Sequence, residues 1–428
     1  MSEPLKLGLA GIGTVGVGVI RMVTQNAAAL TARAGRPVEI TAVSARSKGK
    51  DRGVDLSGYA WEDDPVALAR RDDVDLVVEV MGGEDGPAKA CVEAALAAGK
   101  HVVTANKALL ARHGAALAGM AEDSGVALRY EAAVAGGIPC VKALTEGLAG
   151  NTVTRVMGVL NGTCNYILTE MAKTGADYAD VLSEAQALGY AEADPSFDVG
   201  GIDAAQKLAL LASVAFGAEV DFDGVKVEGI EAITLTDIHQ AADMGYAIKL
   251  LGVARLNGDG LEQRMQPCLV PQTSPVGQLD GVTNMTVFEG DFVGRVVMSG
   301  PGAGEGPTAS AVMGDVVDVA RGLVIPPFGA PSHGLSRAPR SEAGAPAAYY
   351  VRLLLADKPG TLARVATVLG DHAISIHRMR QYDHEGGAAP VIIVTHEAAR
   401  QRLDAALATI EASEVSLDRP VAIRIEDL

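Results

Sequence analysis

The 428-residue chain is poor in cysteine, in basic charge and in long apolar runs. Its four cysteines, Cys91, Cys140, Cys164 and Cys268, lie far apart and form no CxxC or Cys/His ligand spacing. That argues against a disulfide framework or a zinc site and makes the cytoplasm the default compartment. No 18-residue apolar stretch is free of charges or turn residues, so no membrane span is expected. The first residues include acidic Glu3 and lack the charged-then-apolar layout of a secretory signal. Lys plus Arg number 36 against 53 Asp plus Glu, a formal net charge of −17. A chain this acidic has no electrostatic footprint for nucleic acid or an anionic membrane. No long internal repeat is present.

Glycine is what the chain has in excess. Its 50 glycines are well above the usual share of about 7%, a sign of tight turns and close backbone approaches to a ligand. The charge is also uneven. Residues 1–58 hold eight basic and four acidic side chains, whereas residues 347–428 hold nine and eleven. The length implies two or three domains.

The first half alternates short apolar runs with helical stretches. Leu5–Ala10, Val38–Ser44, Val74–Met81, His101–Thr104 and Ala127–Val134 read as strands. Thr14–Arg33, Pro87–Ala98 and Ala108–Asp123 read as helices. That rhythm predicts an α/β unit with a doubly wound parallel sheet of the Rossmann kind. After residue 150 come helices near Asn165–Lys173, Asp177–Leu188 and Ile202–Phe216. Strands follow at Tyr246–Leu256, Glu262–Val270, Thr286–Glu289 and Arg295–Ser299, an α+β pattern. Ile325–Ala347 is a linker by its Pro and Gly content. The remainder reads β-α-β-β-α-β, a small ferredoxin-like unit: Tyr349–Ala356, Leu362–His372, Ile374–Gln381, Pro390–His396, Ala398–Ala412 and Val421–Ile425. The expected division is 1–138, with 306–325 packing back on it, then 139–305, a linker at 326–347, and 348–428.

Gly11-Ile12-Gly13-Thr14-Val15-Gly16 follows a strand and opens a helix. Its G-x-G-x-x-G spacing allows the tight turn, the approach of a pyrophosphate and close helix–strand packing. The helix N-terminus supplies N–H groups to the phosphates. An acid that would hold a ribose 2′-OH is missing after the second strand, where Ser44-Ala45-Arg46-Ser47-Lys48 stands. Arg46, with Lys48 or Lys50, suits a 2′-phosphate, so NADP is favoured over NAD. The alternative is a solvated basic loop.

Three further places carry candidate chemistry. Lys107 ends the strand His101-Val102-Val103-Thr104-Ala105-Asn106-Lys107, where ligands of open parallel sheets bind. Asp203 and Lys207 lie one helical turn apart, before an apolar run that predicts burial. A lysine beside an aspartate in a partly desolvated cleft suits proton donation to a forming alkoxide. Each of these lysines also has the plainer reading of a surface charge. The Gly-rich bend after Glu131 exposes carbonyls that, with Glu131, would suit a hard cation or form an ordinary turn.

Together these residues resemble homoserine dehydrogenase over about residues 5–325. The stretch Gly189 to Lys207 looks like the family signature with its spacing intact. Gly158 to Leu168 is similar to the substrate-domain motif, with Cys164 where Thr or Ser is more usual. Val103 to Leu110 is also family-like. The resemblance implies that Gly11 to Gly16 bind the cofactor phosphates, with Arg46 near the 2′ position. It implies that Gly83, Thr104, Ala105, Lys107, Gly189 and Gly304 also border the cofactor. Glu192, Asp198, Asp203 and Lys107 would hold the substrate, Glu192 through its ammonium. Lys107 and Lys207 would flank the reacting carbonyl, with Lys207 the proton donor. Glu131, with Val134, Gly136 and Ile138, would match the family's sodium site.

The C-terminal unit resembles an ACT regulatory domain. Asp357, Gly360 and Leu362 stand in its first loop, and Ser375 where Asn is frequent. Such domains pair through their sheets and bind amino acids, so threonine is the expected effector. A homodimer or homotetramer is expected. No kinase-like segment precedes the first strand, so a monofunctional enzyme is expected. Its reaction would be NAD(P)H-dependent interconversion of L-aspartate 4-semialdehyde and L-homoserine. The rivals are a non-catalytic amino-acid sensor with a degenerate Rossmann body, and a dehydrogenase of another small amino-acid aldehyde.

Overall fold

A computed structural model describes residues 3–341, 344–382 and 387–427. Glu342 and Ala343 of the linker lie outside the described residues. Strands and helices alternate as β1 (Leu5–Ala10), α1 (Thr14–Gln25), α2 (Ala27–Ala34), β2 (Val38–Ser44), β3 (Ala60–Glu62), α3 (Pro65–Ala69), β4 (Leu76–Glu79), α4 (Pro87–Ala97), β5 (His101–Thr104), α5 (Lys107–Asp123) and β6 (Leu128–Arg129). The strands form one parallel sheet in the order β3-β2-β1-β4-β5-β6. Leu5, Leu7, Leu9, Leu76, Val77 and Val78 are fully buried, as a sheet covered on both faces requires. The strand order reverses between β1 and β4, which puts the switch point at the Gly-rich turn.

Two local expectations change. The helix expected over Thr14–Arg33 breaks at Asn26, whose φ of −107° and ψ of 17° leave the helical region. Asn competes for backbone hydrogen bonds and favours helix ends. The strand expected over Ala127–Val134 is only Leu128–Arg129, followed by a 3₁₀ turn at Glu131–Ala133. β6 is an edge strand that pairs only with Val102 and Val103, and the Glu131 N–H then turns to the Asp315 carboxylate at 2.8 Å.

The second unit contains α6 (Cys140–Lys142), β7 (Val153–Val159), α7 (Gly162–Thr174), α8 (Tyr178–Ala187), α9 (Ser196–Val199), α10 (Ile202–Phe216), β8 (Lys226–Val227), α11 (Leu235–Asp243), β9 (Tyr246–Asn257), β10 (Gly260–Pro271), β11 (Thr283–Gly290) and β12 (Gly294–Pro301). α10 is buried at every position from Asp203 to Val214, which is why it is apolar almost all round. The next helix, α12 (Glu305–Ala320), returns to the first sheet. Its Ala309, Val312, Met313 and Val316 share a core with Leu5, Leu7 and Val19. Gly18 of α1 is needed there, since a Cβ would lie 2.8 Å from Glu305 Cγ and 2.9 Å from the Glu305 carbonyl oxygen.

The C-terminal unit is β13 (Tyr349–Ala356), α13 (Thr361–Asp371), β14 (Ile376–Gln381), β15 (Ala388–Thr395), α14 (Arg400–Glu411) and β16 (Val421–Ile425). It is not separate from the rest. β16 pairs in parallel with β10, so one ten-stranded sheet runs β12-β11-β7-β9-β10-β16-β13-β15-β14, with β8 also on β10. Tyr350, Ile392 and Ile423 belong to the core of the second unit. The Tyr350 hydroxyl and the Arg352 guanidinium both donate to the buried Asp237 of α11, at 2.9 and 2.8 Å. Glu426, just past β16, accepts from Arg264 at 2.7 Å, from Arg424 at 2.9 Å and from Arg155.

Candidate active site

The Gly-rich turn is built for close approach. Gly11 has φ +106°, and a Cβ there would lie 2.7 Å from the Val80 carbonyl oxygen. A Cβ at Gly16 would lie 2.1 Å from the Gly11 carbonyl oxygen. Gly13 caps α1 with no side-chain cap hydrogen bond, and nothing stands within 4 Å of its Cβ position. The first N–H groups of α1 therefore face an open cradle, which fits a dinucleotide pyrophosphate. Ile12 is buried, Thr14 exposed and Val15 intermediate.

Arg46, Lys48 and Lys50 are all exposed beyond the end of β2. Arg52 is a residue to which sequence reasoning gave no role. It donates to the carbonyls of Ile12 (3.0 Å), Ser47 (2.7 Å) and Lys50 (2.8 Å), and lies over the Trp61 ring. It thus ties the basic loop to the Gly-rich turn.

The carboxyl ends of β4 and β5 are joined by another missed residue, Glu79. It is fully buried and accepts from Thr104 Oγ1 (2.6 Å), the Met81 N–H (2.7 Å) and the Gly82 N–H (3.2 Å). Burial pushes its carboxyl up despite those bonds. Thr104 Oγ1 in turn accepts from the Asn106 N–H, and Asn106 Nδ2 donates to the Gly83 carbonyl at 2.7 Å. The backbone of Met81 to Gly83 and the turn at Ala105–Asn106 are thereby fixed together. An acid closing an apolar strand was the available signal.

Asn106 caps α5 by accepting from the Leu109 N–H, and Lys107 is the first residue of that helix. Its Nζ lies 3.1 Å from Asp203 Oδ1. From the other side, Lys207 Nζ donates to Asp203 Oδ2 at 2.7 Å and to the Leu160 carbonyl at 2.8 Å. Asn161 Nδ2 donates to Asp203 Oδ2 (3.0 Å) and Asp198 Oδ1 (2.8 Å). Asn161 was also missed. It caps α7 by accepting from the Cys164 N–H, so an Asn before a helix was its signal. Cys164 is buried, with Sγ 3.2 Å from the Asp198 carbonyl oxygen.

The cluster is desolvated but charged. Asp203 is 6% exposed and Lys207 8%. Burial alone would raise the Asp203 carboxyl, but Lys207 and Lys107 outweigh it and hold it well below the usual carboxylate range. Burial pushes Asp198 the other way, up, against the Asn161 hydrogen bond. Glu192 is exposed, and the two lysines pair with Asp203 rather than with it. Gly189, with φ +76°, is exposed in the same loop, and Gly304, with φ +111°, caps α12.

The Glu131 carboxylate accepts from the backbone N–H groups of Val141 (2.9 Å) and Lys142 (2.8 Å), and Cys140 Sγ lies beside it. Burial, with Asp315 nearby, pushes it up to about 7. Both its oxygens thus accept hydrogen bonds from within the protein, each keeping a further lone pair. Among the described residues, no group of three or more His, Cys, Asp or Glu is placed to hold a metal. All four cysteines are free and buried. No described helix is long and apolar enough to cross a membrane. In the C-terminal unit, Asp357 and Gly360 are exposed and Leu362 is intermediate.

Comparison with known proteins gives one answer along the chain. Residues 11–131 match the NAD-binding domain of homoserine dehydrogenase, residues 139–317 the homoserine dehydrogenase family itself, and residues 349–415 the ACT domain. A homoserine dehydrogenase of Pseudomonas aeruginosa is 43% identical over 436 residues, covering 100% of both chains. The crystal structure of one from Thiobacillus denitrificans superposes with a TM-score of 0.93 at 41% identity, covering 99% of each chain. A hyperthermophilic archaeal homoserine dehydrogenase in complex with NADPH shares the fold, with a TM-score of 0.65 at 24% identity over 76% of this chain and 100% of that one.

Proposed function

The chain belongs to the homoserine dehydrogenase family, and from that premise we propose which of its groups carry the reaction. It is an NAD(P)-dependent oxidoreductase that interconverts L-aspartate 4-semialdehyde and L-homoserine, with an ACT domain for regulation. The observation behind the assignment is the sharing of Asp203 between Lys207 and Lys107. A bound nicotinamide cofactor supplies or takes up the hydride.

Lys207 is the proton donor. An ammonium has three N–H donors. Two of them are met by Asp203 and the Leu160 carbonyl. The third is left for the aldehyde oxygen. As hydride reaches the carbonyl carbon, that N–H neutralises the forming alkoxide and gives the alcohol. The Asp203 carboxylate lies between the two lysines and is bound by both. Lys107, about 30% exposed, orients the substrate from the open side. Asp198 and Asp203, joined through Asn161, and the exposed Glu192 hold the rest of the substrate, Glu192 through its ammonium. This constellation disfavours a purely sensory protein. Lys207→Met is expected to lower kcat by about 10²–10⁴-fold while cofactor binding persists. Near-native turnover would remove the assignment.

The cofactor cradle comprises Gly11 to Gly16, with Gly83, Thr104, Ala105, Lys107, Gly189 and Gly304 at its border. NADP is the preferred form, because Arg46, Lys48 and Lys50 stand where an NAD-selective chain would place an acid. Arg46→Asp is expected to raise the NADPH Michaelis constant about tenfold and leave that for NADH nearly unchanged. Equal effects on both would overturn the preference. A sodium ion at the 131–138 bend would be held by Glu131 with the carbonyls of Val134, Gly136 and Ile138. L-threonine is the proposed effector, and the assembly is a homodimer or homotetramer.

A further inference from the structure

Asp203, Asp237, Asp315 and Glu426 are buried acids, and each has a lysine or arginine at 3.3 Å or less. Glu79 is fully buried too, yet among the described residues no lysine, arginine or histidine pairs with it. Glu131 is the other buried acid without such a pair, and a sodium ion is proposed beside it above. A buried charge with no counter-charge is costly unless something completes it.

The place of Glu79 in the sheet indicates what would complete it. Glu79 is the last residue of β4, in register with Ala10 of β1 and Thr104 of β5. It stands at the carboxyl edge of the sheet, beside the switch point. The Gly-rich turn and the basic loop after β2 take the pyrophosphate and the 2′ side, so the nicotinamide half of a dinucleotide falls to β4 and β5. Lys107, paired with Asp203 just beyond β5, lies on the same edge. In the turn that Glu79 holds, Gly82 and Gly83 are exposed, and nothing lies within 4 Å of the Cβ position at Gly82.

We propose that Glu79 is an electrostatic and positioning residue of the hydride transfer, a carboxylate without a protein cation that favours the positively charged, oxidised nicotinamide over the reduced one. The proposal rests on the cofactor placement given above. The hydrogen bonds of Glu79 call for the ionised form. The Met81 N–H, the Gly82 N–H and the Thr104 hydroxyl all donate to it. Thr104 is fully buried and its Oγ1 accepts from the Asn106 N–H, so its own proton has the Glu79 carboxylate as acceptor. A carboxylic acid would set two hydroxyl protons against each other there. Holding the backbone does not by itself call for an acid, since a glutamine oxygen accepts from the same two N–H groups.

Hydride transfer to the aldehyde carbon, with a proton from Lys207 to its oxygen, leaves one positive charge on the nicotinamide ring. A fixed negative charge in a desolvated site stabilises that charge as it develops, with no reorganisation. The bonds also run from Glu79 through Thr104 and Asn106 to the first turn of α5, which carries Lys107. Glu79 thus acts on the ring through its charge and on Lys107 through its frame.

The test compares the dissociation constants of the two cofactor forms. The fluorescence of reduced nicotinamide gives that of NADPH, and competition gives that of NADP⁺. Glu79→Gln, nearly identical in shape, is expected to weaken NADP⁺ about fivefold or more relative to NADPH. Glu79→Asp keeps the charge and is expected to hold the ratio within about twofold, even where both constants rise. Equal weakening of both forms by Glu79→Gln would make Glu79 a structural clasp and overturn the proposal. Should Glu79→Gln not fold, a held ratio in Glu79→Asp supports the proposal, and a shift of that ratio toward NADPH overturns it. Failure of the native chain to bind either form would instead overturn the cofactor reading on which the proposal stands.

Discussion

Two buried ion clusters of this chain invite comparison. At the active site, Asp203 is shared by two lysines and bridged to Asp198 through Asn161. At the junction, Glu426 is shared by Arg155, Arg264 and Arg424, with Arg255 further off. Both acids are almost fully buried, and in both the surrounding cations hold the carboxyl low against the upward push of burial. What differs is the cation. Arginine stays protonated and its fork can fill a carboxylate's lone pairs, so it suits a charge that must stay in place. Lysine is a point donor that can give up a proton and rotate its remaining N–H groups to a ligand. Under the proposed mechanism, lysine stands where a proton moves, and arginine where two units are held.

The sharpest way to break this comparison is to exchange the cation at the active site. Lys207→Arg keeps the charge and removes the proton donor, so kcat is expected to fall roughly 10⁴-fold, at the upper end for general acid catalysis. A loss of only a few fold, measured in steady-state assays, would mean that positive charge alone is required. Next in size is the loss of the junction acid. Glu426→Gln leaves buried arginines short of their counter-charge and is expected to lower unfolding stability by about 3–5 kcal/mol, measured in denaturant, while kcat per folded molecule is retained. If activity falls with little loss of stability, the junction is part of the catalytic machinery instead. The smallest effect is in pH. Asp203 and Glu426 have depressed carboxyls in the folded state, so their stabilisation is complete above the ordinary carboxylate value near 4 and is lost as pH falls through the folded values. The melting-temperature gap between the native chain and Glu426→Gln is therefore expected to narrow as pH falls below about 4. A gap that is constant with pH would assign the loss to packing.

Much of this architecture could be read ahead, for reasons visible at particular residues. α10 announces its burial because no face of it is polar after Lys207, and the two expected edges, Ile202 and Phe216, are the observed ones. β13 and β16 likewise run as expected because apolar alternation ends abruptly at turn residues. The ion pair of Lys107 with Asp203 joins residues 96 positions apart, and spacing along the chain carries no information about it. Glu79 reads as the polar end of a strand, and only the fold shows it clasping the backbone of a neighbouring turn. Arg52 counts as one more basic side chain until its guanidinium is seen donating to the Ile12 carbonyl. The cost of leaving β10 unpaired, which draws β16 into the same sheet, is a property of two distant segments together.

That shared sheet sets an order of events during synthesis. β16 occupies an interior place, yet its last residue is made 154 positions after the end of β10 at Pro271. At roughly 5–20 residues per second, part of the β10 edge waits bare for about 8–30 seconds. A bare edge can recruit a strand from another chain. Glu262-Gln263-Arg264-Met265-Gln266 is polar at four of its five positions and unattractive to such a strand. The apolar stretch that follows starts at Cys268 and Leu269, and these are the two residues that Arg424 and Ile425 finally cover.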